Sequence, residues 1–196
     1  MSKKEIERAL PWWAPAVLPH LETILTKDMV AFEWGSGRST QWLADRVGAL
    51  YSVESQQHWY SLVEKYIEGK SNVRLFFVPY KGGGTCPPEE HPGRVQDSKH
   101  VAEYVEVMDK VGRQFDFIVI DGLAGQYRVA GLQKALKYLK PGGYLLFDNI
   151  QGQPYRRKVY EAGLYNWEYA QFWSPIGSEV GATLTAVFRK PKETNE

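Results

Sequence analysis

An acidic residue and a glycine-rich turn in the first quarter of the sequence have the types and spacing of a ligand-binding loop. The apolar run that begins at Val30 reaches Glu33, and the turn Gly35-Ser36-Gly37 follows it. Glycines at alternate positions after a strand let a ligand approach the backbone closely. Glu54 follows about 20 residues later, where an acidic side chain commonly accepts the two hydroxyls of a ribose. Because a carboxylate repels a diphosphate, the pattern favours a ligand with a ribose and a positive charge.

Other uses of a glycine turn fit these residues less well. A phosphate-binding P-loop needs a glycine where Phe32 stands and a lysine where Arg38 stands. A dinucleotide-binding loop needs a third glycine for close helix–strand packing, and Thr40 replaces it. The two glycines could also form a tight turn that binds no ligand. S-adenosylmethionine, which carries a sulfonium, an α-amino group and an adenosine, matches the expected ligand better than NAD(P).

A second acidic group lies later in the sequence. Asp121 ends the apolar run "FDFIVID", and Asp148 and Asn149 end "GYLLFDN". The carboxyl ends of parallel strands face the ligand crevice of an open sheet. Oxygens from these three side chains suit Mg²⁺ or Ca²⁺, and such a cation would lower the pKa of a substrate hydroxyl. Alternatively, the two aspartates bond the cofactor, backbone or substrate without a metal. Arg128 would either clamp an acidic substrate group or pair with one of the aspartates.

The elements that must position these residues follow from the apolar runs. Five runs are continuous rather than alternating, which predicts strands buried on both faces of a parallel sheet: "MVAFEW", "ALYSVE", "NVRLFFV", "FDFIVID" and "GYLLFDN". Helical patterns lie between them, so the sequence predicts a doubly wound α/β fold. The runs "NWEYAQFW" and "TLTAVFRK" have no helix between them and predict an antiparallel hairpin at the C-terminal end.

The segment 80–100, "YKGGGTCPPEEHPGRVQDSKH", is rich in Gly and Pro and too long for an ordinary connection. It is predicted to be a substrate loop that becomes ordered over the crevice. Because an imidazole titrates near neutral pH, His91 or His100 could act there as a general base. A zinc site that includes Cys86 is not favoured, since the spacing of the candidate ligands fits no closed zinc pattern.

Composition narrows the class of protein. A length of 196 residues indicates one domain over 1–196, with a helical N-terminal segment over 1–28. Lys and Arg number 24 against 23 Asp and Glu, and this balance gives no reason to expect nucleic acid or an acidic membrane as a partner. The single cysteine and the charged N-terminus without an apolar core are typical of a cytoplasmic protein. No apolar run approaches the roughly 20 residues that cross a bilayer.

Four motifs resemble, in order and spacing, those of class I S-adenosylmethionine-dependent methyltransferases: "FEWGSGRST", "YSVES", "FDFIVIDG" and "LKPGGYLLFDN". The resemblance covers roughly residues 30–189 and implies a Rossmann-like methyltransferase fold whose sheet closes with the antiparallel hairpin. It implies that the cofactor contacts come from Glu33, Gly35, Ser36, Gly37, Ser39, Thr40, Glu54, Ser55 and Asp121. Capping of the following helix is the alternative role for the hydroxyls of Ser39 and Thr40.

The acidic strand ends resemble those of the catechol-type, metal-dependent O-methyltransferases. That group has a lysine a few residues after its first aspartate, and "DGLAGQYR" has none. The candidate catalytic residues are Asp121, Asp148 and His91, with Asn149 as a further ligand if Mg²⁺ binds. The predicted activity is methyl transfer to an oxygen of a small-molecule acceptor. The alternatives are N-methylation, a non-catalytic cofactor-binding or scaffolding protein, and an NAD(P)-dependent oxidoreductase.

Overall fold

The computed structural model of the protein describes residues 10–79, 98–175 and 182–192. Numbered along these residues, the strands are β1 (Val30–Trp34), β2 (Ala49–Glu54), β3 (Val73–Phe77), β4 (Phe115–Ile120), β5 (Leu139–Phe147), β6 (Glu168–Pro175) and β7 (Ala182–Arg189). The helices are α1 (Val17–Glu22), α2 (Arg38–Ala44), α3 (Gln57–Tyr66), α4 (Ser98–Val105), α5 (Val107–Val111), α6 (Gln126–Tyr138) and α7 (Gln153–Glu161), with a 3₁₀ turn at Leu164–Asn166.

All seven of these strands lie in one sheet, in the order β3-β2-β1-β4-β5-β7-β6. Strands β1 to β5 are parallel, and β7 is antiparallel to both β5 and β6. The predicted α/β fold with five parallel strands and a terminal antiparallel hairpin is therefore confirmed. The chain leaves β1 toward β2 on one side and returns to β4 on the other. This switch point is where open α/β sheets bind their ligands.

Both faces of the sheet are covered because the central strands are apolar on both faces. In β1, Phe32 packs in a cluster with side chains of α4 and α6, whereas Ala31 packs in a cluster with side chains of α1 and α2. In β4, Ile118 and Phe117 divide between the same two clusters. Burial of a large apolar side chain contributes about 1.5–3 kcal/mol, so this packing holds the strand ends firmly in place.

The structure differs from the predicted loop over 80–100 at the C-terminal end of that segment. Residues 98–100 form the first turn of α4, so that boundary was wrong. The helix forms because its buried residues lie on one face, and burial of that face stabilises the helix. These residues are His100, Val101, Tyr104 and Val105. Residues 80–97, which include His91 and Cys86, lie outside the described residues.

The predicted N-terminal helical segment, 1–28, contains one helix in its described part. That helix is α1, and residues 10–16 precede it without regular structure. Among the helices of the described residues, none is long and apolar enough to cross a membrane.

Candidate active site

A cavity of about 730 Å³ opens at the carboxyl ends of the central strands. The volume falls in the range of about 300–1,000 Å³ that small-molecule sites occupy. Its walls are Trp12, Gly35, Ser36, Gly37, Arg38, Ser39, Glu54, Gln56, Trp59, Asp121, Gly122, Leu123, Arg128, Asp148 and Asn149. The fold thus brings the glycine turn together with the acidic ends of β2, β4 and β5, although these segments are far apart in the sequence.

The turn after β1 requires glycine at Gly35 for a steric reason. Its φ is +92°, and a Cβ there would lie 2.4 Å from the Cα and N atoms of Gly122 in the turn after β4. The two strand ends can therefore touch only because neither residue has a side chain. Gly37 differs, because a Cβ there would meet no described atom within 4 Å. The space beside Gly37 is open to a ligand.

Glu33 lies beneath this turn and is fully buried. Its carboxylate accepts hydrogen bonds from the hydroxyls of Ser39, Thr40 (2.6 Å) and Ser52 (2.7 Å). Thr40 also accepts a bond from the N–H of Gly37 at 2.9 Å, which caps the start of α2. Burial raises the pKa of Glu33 to about 7. Glu33 and Thr40 do not line the cavity, so they support the turn from below.

Glu54, at the end of β2, lines the cavity and is held rigidly. One carboxylate oxygen accepts the backbone N–H groups of Ser55 and Gln56, both at 2.7 Å, and the other accepts the hydroxyl of Ser36 at 3.2 Å. Burial raises the pKa of Glu54 to about 7. The buried hydroxyl of Ser55 has no hydrogen-bond partner among the described residues. Such a group costs about 1–3 kcal/mol unless a ligand or water satisfies it.

An N-terminal strap, residues 10–14, crosses the carboxyl edge of the sheet. The Trp13 indole donates to Asp121 Oδ2 at 3.1 Å, and the N–H of Ala14 donates to the hydroxyl of Thr185 at 2.9 Å. In the middle of the strap, the ring of Trp12 meets Trp59 edge to face with centroids 5.3 Å apart.

The guanidinium of Arg38 lies 5.1 Å from the Trp12 ring. Trp12 is 67% exposed although it lines the cavity, so Trp12 and Arg38 form an aromatic and cationic rim at the cavity mouth.

Arg128, in the first turn of α6, lies among the acidic strand ends. It is 5% exposed and donates to four oxygens: Asp121 Oδ1 (3.2 Å), Gly122 O (3.0 Å), Asp148 O (2.5 Å) and Asn149 Oδ1 (3.2 Å). Of the two predicted roles of Arg128, pairing with an aspartate is the one that the structure shows.

The carboxylates beside Arg128 have further partners. Asp121 Oδ1 also accepts the N–H of Gly122 at 2.8 Å, while its Oδ2 accepts the indole of Trp13. Asp148 Oδ1 accepts the hydroxyl of Thr185 at 2.5 Å. Burial and, second, the charge of Asp121 raise the pKa of Asp148 to about 7. Asp148 is therefore held in place and titrates near neutral pH.

The predicted Mg²⁺ ligands do not fit a divalent cation in this arrangement. Asn149 Oδ1 and Asp121 Oδ1 both accept hydrogen bonds from the guanidinium, and Asn149 Nδ2 donates to the hydroxyl of Thr183 at 2.7 Å. The guanidinium thus binds the side-chain oxygens of two of the three predicted ligands, and it contacts the third, Asp148, through the backbone carbonyl. Within residues 10–79, 98–175 and 182–192, His, Cys, Asp and Glu side chains form no group of three or more that could hold a metal.

A family model described as a methyltransferase domain matches residues 32–150, which is more than half of the chain. The chain belongs to the methyltransferase domain family. No curated protein sequence matches this methyltransferase significantly.

Solved structures resemble this methyltransferase over nearly its whole length. An rRNA methylase from Streptococcus thermophilus aligns with a TM-score of 0.62 and 14% identity over 93% of this chain and 100% of that one. SMU.1697c from Streptococcus mutans, whose crystal structure contains SAH, aligns with a TM-score of 0.59 and 14% identity over 89% of this chain and 97% of that one. The N-methyltransferase NodS from Bradyrhizobium japonicum WM9 aligns with a TM-score of 0.58 and 14% identity over 90% of this chain and 94% of that one. The Rossmann-like class I methyltransferase fold is confirmed, whereas identities this low say nothing about the acceptor.

The histidine predicted as an alternative base to His91 lies away from the cavity of this methyltransferase. His100 is 2% exposed, its Nδ1 shares a hydrogen bond of 2.7 Å with the hydroxyl of Tyr127, and its Nε2 donates to the carbonyl of Val78 at 3.2 Å. It does not line the cavity, so the expectation that it could serve as the base is wrong. The packing of α4 against α6, which contains Tyr127, explains its position.

Sequence reasoning missed part of the cavity wall. The residues not predicted are Trp12, Arg38, Gln56, Trp59, Gly122 and Leu123. The adjacent tryptophans in "PWWAP" and the arginine inside the glycine loop were the available signals. Only the fold shows that the strap containing Trp12 reaches Trp59, because this contact depends on long-range packing.

Proposed function

We propose that this methyltransferase takes a methyl group from S-adenosylmethionine and transfers it to an oxygen of a small-molecule acceptor. The observation that carries the proposal is one cavity at the switch point of the sheet. Its β1–β2 side contains the glycine turn and Glu54, and its β4–β5 side contains Asp121 and Asp148. The first side suits a ribose-bearing cation, and the second offers acidic groups to an acceptor.

The residues on the β1–β2 side fit the cofactor in space and in chemistry. The open position beside Gly37 lets a ligand lie against the backbone, and the carboxylate of Glu54 is fixed where ribose hydroxyls can donate to it. Ser55 does not line the cavity, so its predicted contact with the cofactor stays a prediction. When bound, the cofactor supplies an electrophilic methyl group on a positively charged sulfur. The nearby carboxylates favour that charge.

On the acceptor side, Asp148 is the proposed base. It lines the cavity, and its pKa of about 7 suits a general base at neutral pH. The acceptor hydroxyl gives its proton to Asp148 as its oxygen bonds to the methyl carbon, while the sulfur–methyl bond breaks and SAH leaves with that electron pair on a neutral sulfur. Asp121 is committed to Arg128 and Trp13, so its proposed role is to position groups. The catalytic role of His91 stays a prediction.

A small acceptor is proposed because the net charge of +1 provides no general attraction for a polyanion. Two of the structural relatives are an rRNA methylase and an N-methyltransferase, and the acceptor classes in those names are not carried over to this chain. Mg²⁺ is given no part in the proposed reaction, because two of the three candidate ligands, Asp121 and Asn149, bind a guanidinium.

Isothermal titration calorimetry tests the cofactor assignment. S-adenosylmethionine and SAH are expected to bind, and Glu54→Ala is expected to weaken binding about tenfold or more, since a hydrogen bond to a charged group contributes about 1.5–3 kcal/mol. Glu64→Ala, which removes an exposed glutamate of α3, is the matched control and should change little. Tight binding of NAD without any response to S-adenosylmethionine would overturn the proposal.

A further inference from the structure

The guanidinium of Arg128 binds two of the three side chains that the sequence led us to expect around a metal ion, those of Asp121 and Asn149. Two of its contacts are to side-chain oxygens of Asp121 and Asn149, and two are to the carbonyl oxygens of Gly122 and Asp148. All four are oxygen acceptors, as a hard divalent cation would require. An arginine side chain remains protonated at every physiological pH, so the positive charge is permanent.

We propose that Arg128 is a built-in cation that replaces a divalent metal in the acceptor half of the cavity, so that methyl transfer in this protein is metal-independent. In this role Arg128 is a positioning residue, because it acts through Asp121 and the turn at Asp148 and Asn149. The inference rests on the proposed function for its reference to methyl transfer. Its statement about metal binding holds for the protein whatever the reaction is.

The contacts explain how one side chain can organise two strand ends. Asp121 follows β4, and the turn at Asp148 and Asn149 follows β5. Arg128 reaches both from the first turn of α6. Asn149 has a φ of +52°, a left-handed conformation that is uncommon for residues other than glycine. The amide oxygen of Asn149 accepts a hydrogen bond from Arg128, and the amide nitrogen donates one to Thr183. These two bonds fix the unusual turn beside the cavity.

The two possible roles of Arg128, a purely structural one and the replacement of a metal, predict different metal binding when the guanidinium is removed. If the oxygens have the arrangement of a cation site, Arg128→Ala leaves several of them around a space that a cation can enter. The variant should then gain affinity for a divalent cation that the wild-type protein does not bind. A merely structural role provides no reason for such a gain.

Mn²⁺ binding followed by electron paramagnetic resonance is the test, since it needs neither cofactor nor acceptor. Wild-type protein, stripped of metal, is expected to bind no Mn²⁺ at the acidic strand ends. Arg128→Ala should bind Mn²⁺ there, at least about tenfold more tightly than any background binding that the wild type shows. Arg128→Lys, which keeps a positive charge, should behave like the wild type. Arg156→Ala, at an exposed position of α7, is the matched control and should also show no binding.

Stoichiometric Mn²⁺ binding by the wild-type protein that is lost in Asp121→Asn would overturn the inference. So would a folded Arg128→Ala variant that gains no affinity for Mn²⁺. If circular dichroism shows that Arg128→Ala does not fold, the wild-type and Arg128→Lys titrations still decide, since binding of Mn²⁺ by either at the acidic strand ends contradicts a resident cation. Failure of S-adenosylmethionine to bind in calorimetry would refute the proposed function and leave these metal results unchanged.

Discussion

Replacing Glu33 by glutamine should change how the stability of the protein depends on pH. The side chain is fully buried beneath the glycine turn, where three hydroxyls donate to it. Those hydrogen bonds favour the ionised carboxylate, but burial disfavours it more strongly and raises the pKa from 4.5 to about 7. Glutamine has nearly the same shape and is neutral at every pH, so Glu33→Gln removes the titration; it also replaces one acceptor oxygen by an NH2 donor, a cost that does not depend on pH.

The size of the effect follows from this rise in pKa. The folded chain binds the proton of Glu33 more tightly than the unfolded chain does, so the contribution to stability is full below pH 4.5 and is lost as the pH rises through about 7. One pKa unit corresponds to about 1.4 kcal/mol, which gives about 3.5 kcal/mol for the whole shift. Between about pH 5 and about pH 8 the loss amounts to roughly 2.5 kcal/mol.

Urea unfolding at these two pH values measures the effect. The unfolding free energy of the wild-type protein should decrease from the lower to the higher pH by roughly 2.5 kcal/mol more than that of Glu33→Gln. Glu64→Gln, at an exposed position of α3, is the control and should follow the wild type. Equal destabilisation of Glu33→Gln at both pH values would mean that the three hydroxyls keep Glu33 ionised, and the reasoning would be refuted.

Two further predictions concern the cavity itself. The rate of methyl transfer to an oxygen acceptor should increase as the pH rises through about 7, because Asp148 accepts a proton only when it is ionised, and burial and Asp121 raise its pKa to that value. Asp148→Asn should lower kcat by about 100-fold or more, and a flat pH–rate profile in the wild type would contradict this role. Trp12→Ala should weaken binding of S-adenosylmethionine in calorimetry by about 1 kcal/mol, roughly fivefold, because the ring covers the cavity mouth beside Trp59. Trp173→Ala, which removes an exposed tryptophan of β6, is the control, and equal effects of the two variants would refute the role of Trp12.

The sheet could be predicted from the sequence because its strands are locally encoded. The runs that contain Phe32 and Ile118 are apolar at every position, and only a strand covered on both faces uses such a run. The order of strands in this fold then places Glu54, Asp121 and Asp148 at one edge. These three residues can therefore be predicted as neighbours from the sequence.

The roles of individual side chains could not be predicted in the same way. Glu33 was expected beside the cofactor, but whether a strand-end carboxylate points into the cavity or beneath the turn depends on the hydroxyls around it. Arg128 was recognised as a possible partner of Asp121, yet its contacts with Asn149 depend on the left-handed turn after β5. His100 belonged by composition to a Gly- and Pro-rich segment, and only the packing of α4 against α6 shows that it is buried.

A crystal structure of the protein grown with SAH and Mg²⁺ is the most direct measurement of the central claim. We expect SAH along the turn from Gly35 to Gly37, with its ribose hydroxyls donating to Glu54. The guanidinium of Arg128 should remain between Asp121 and Asn149, without a metal ion. SAH bound away from this cavity, or absent from it at saturating concentration, would contradict the claim that the cavity is a methyltransferase active site.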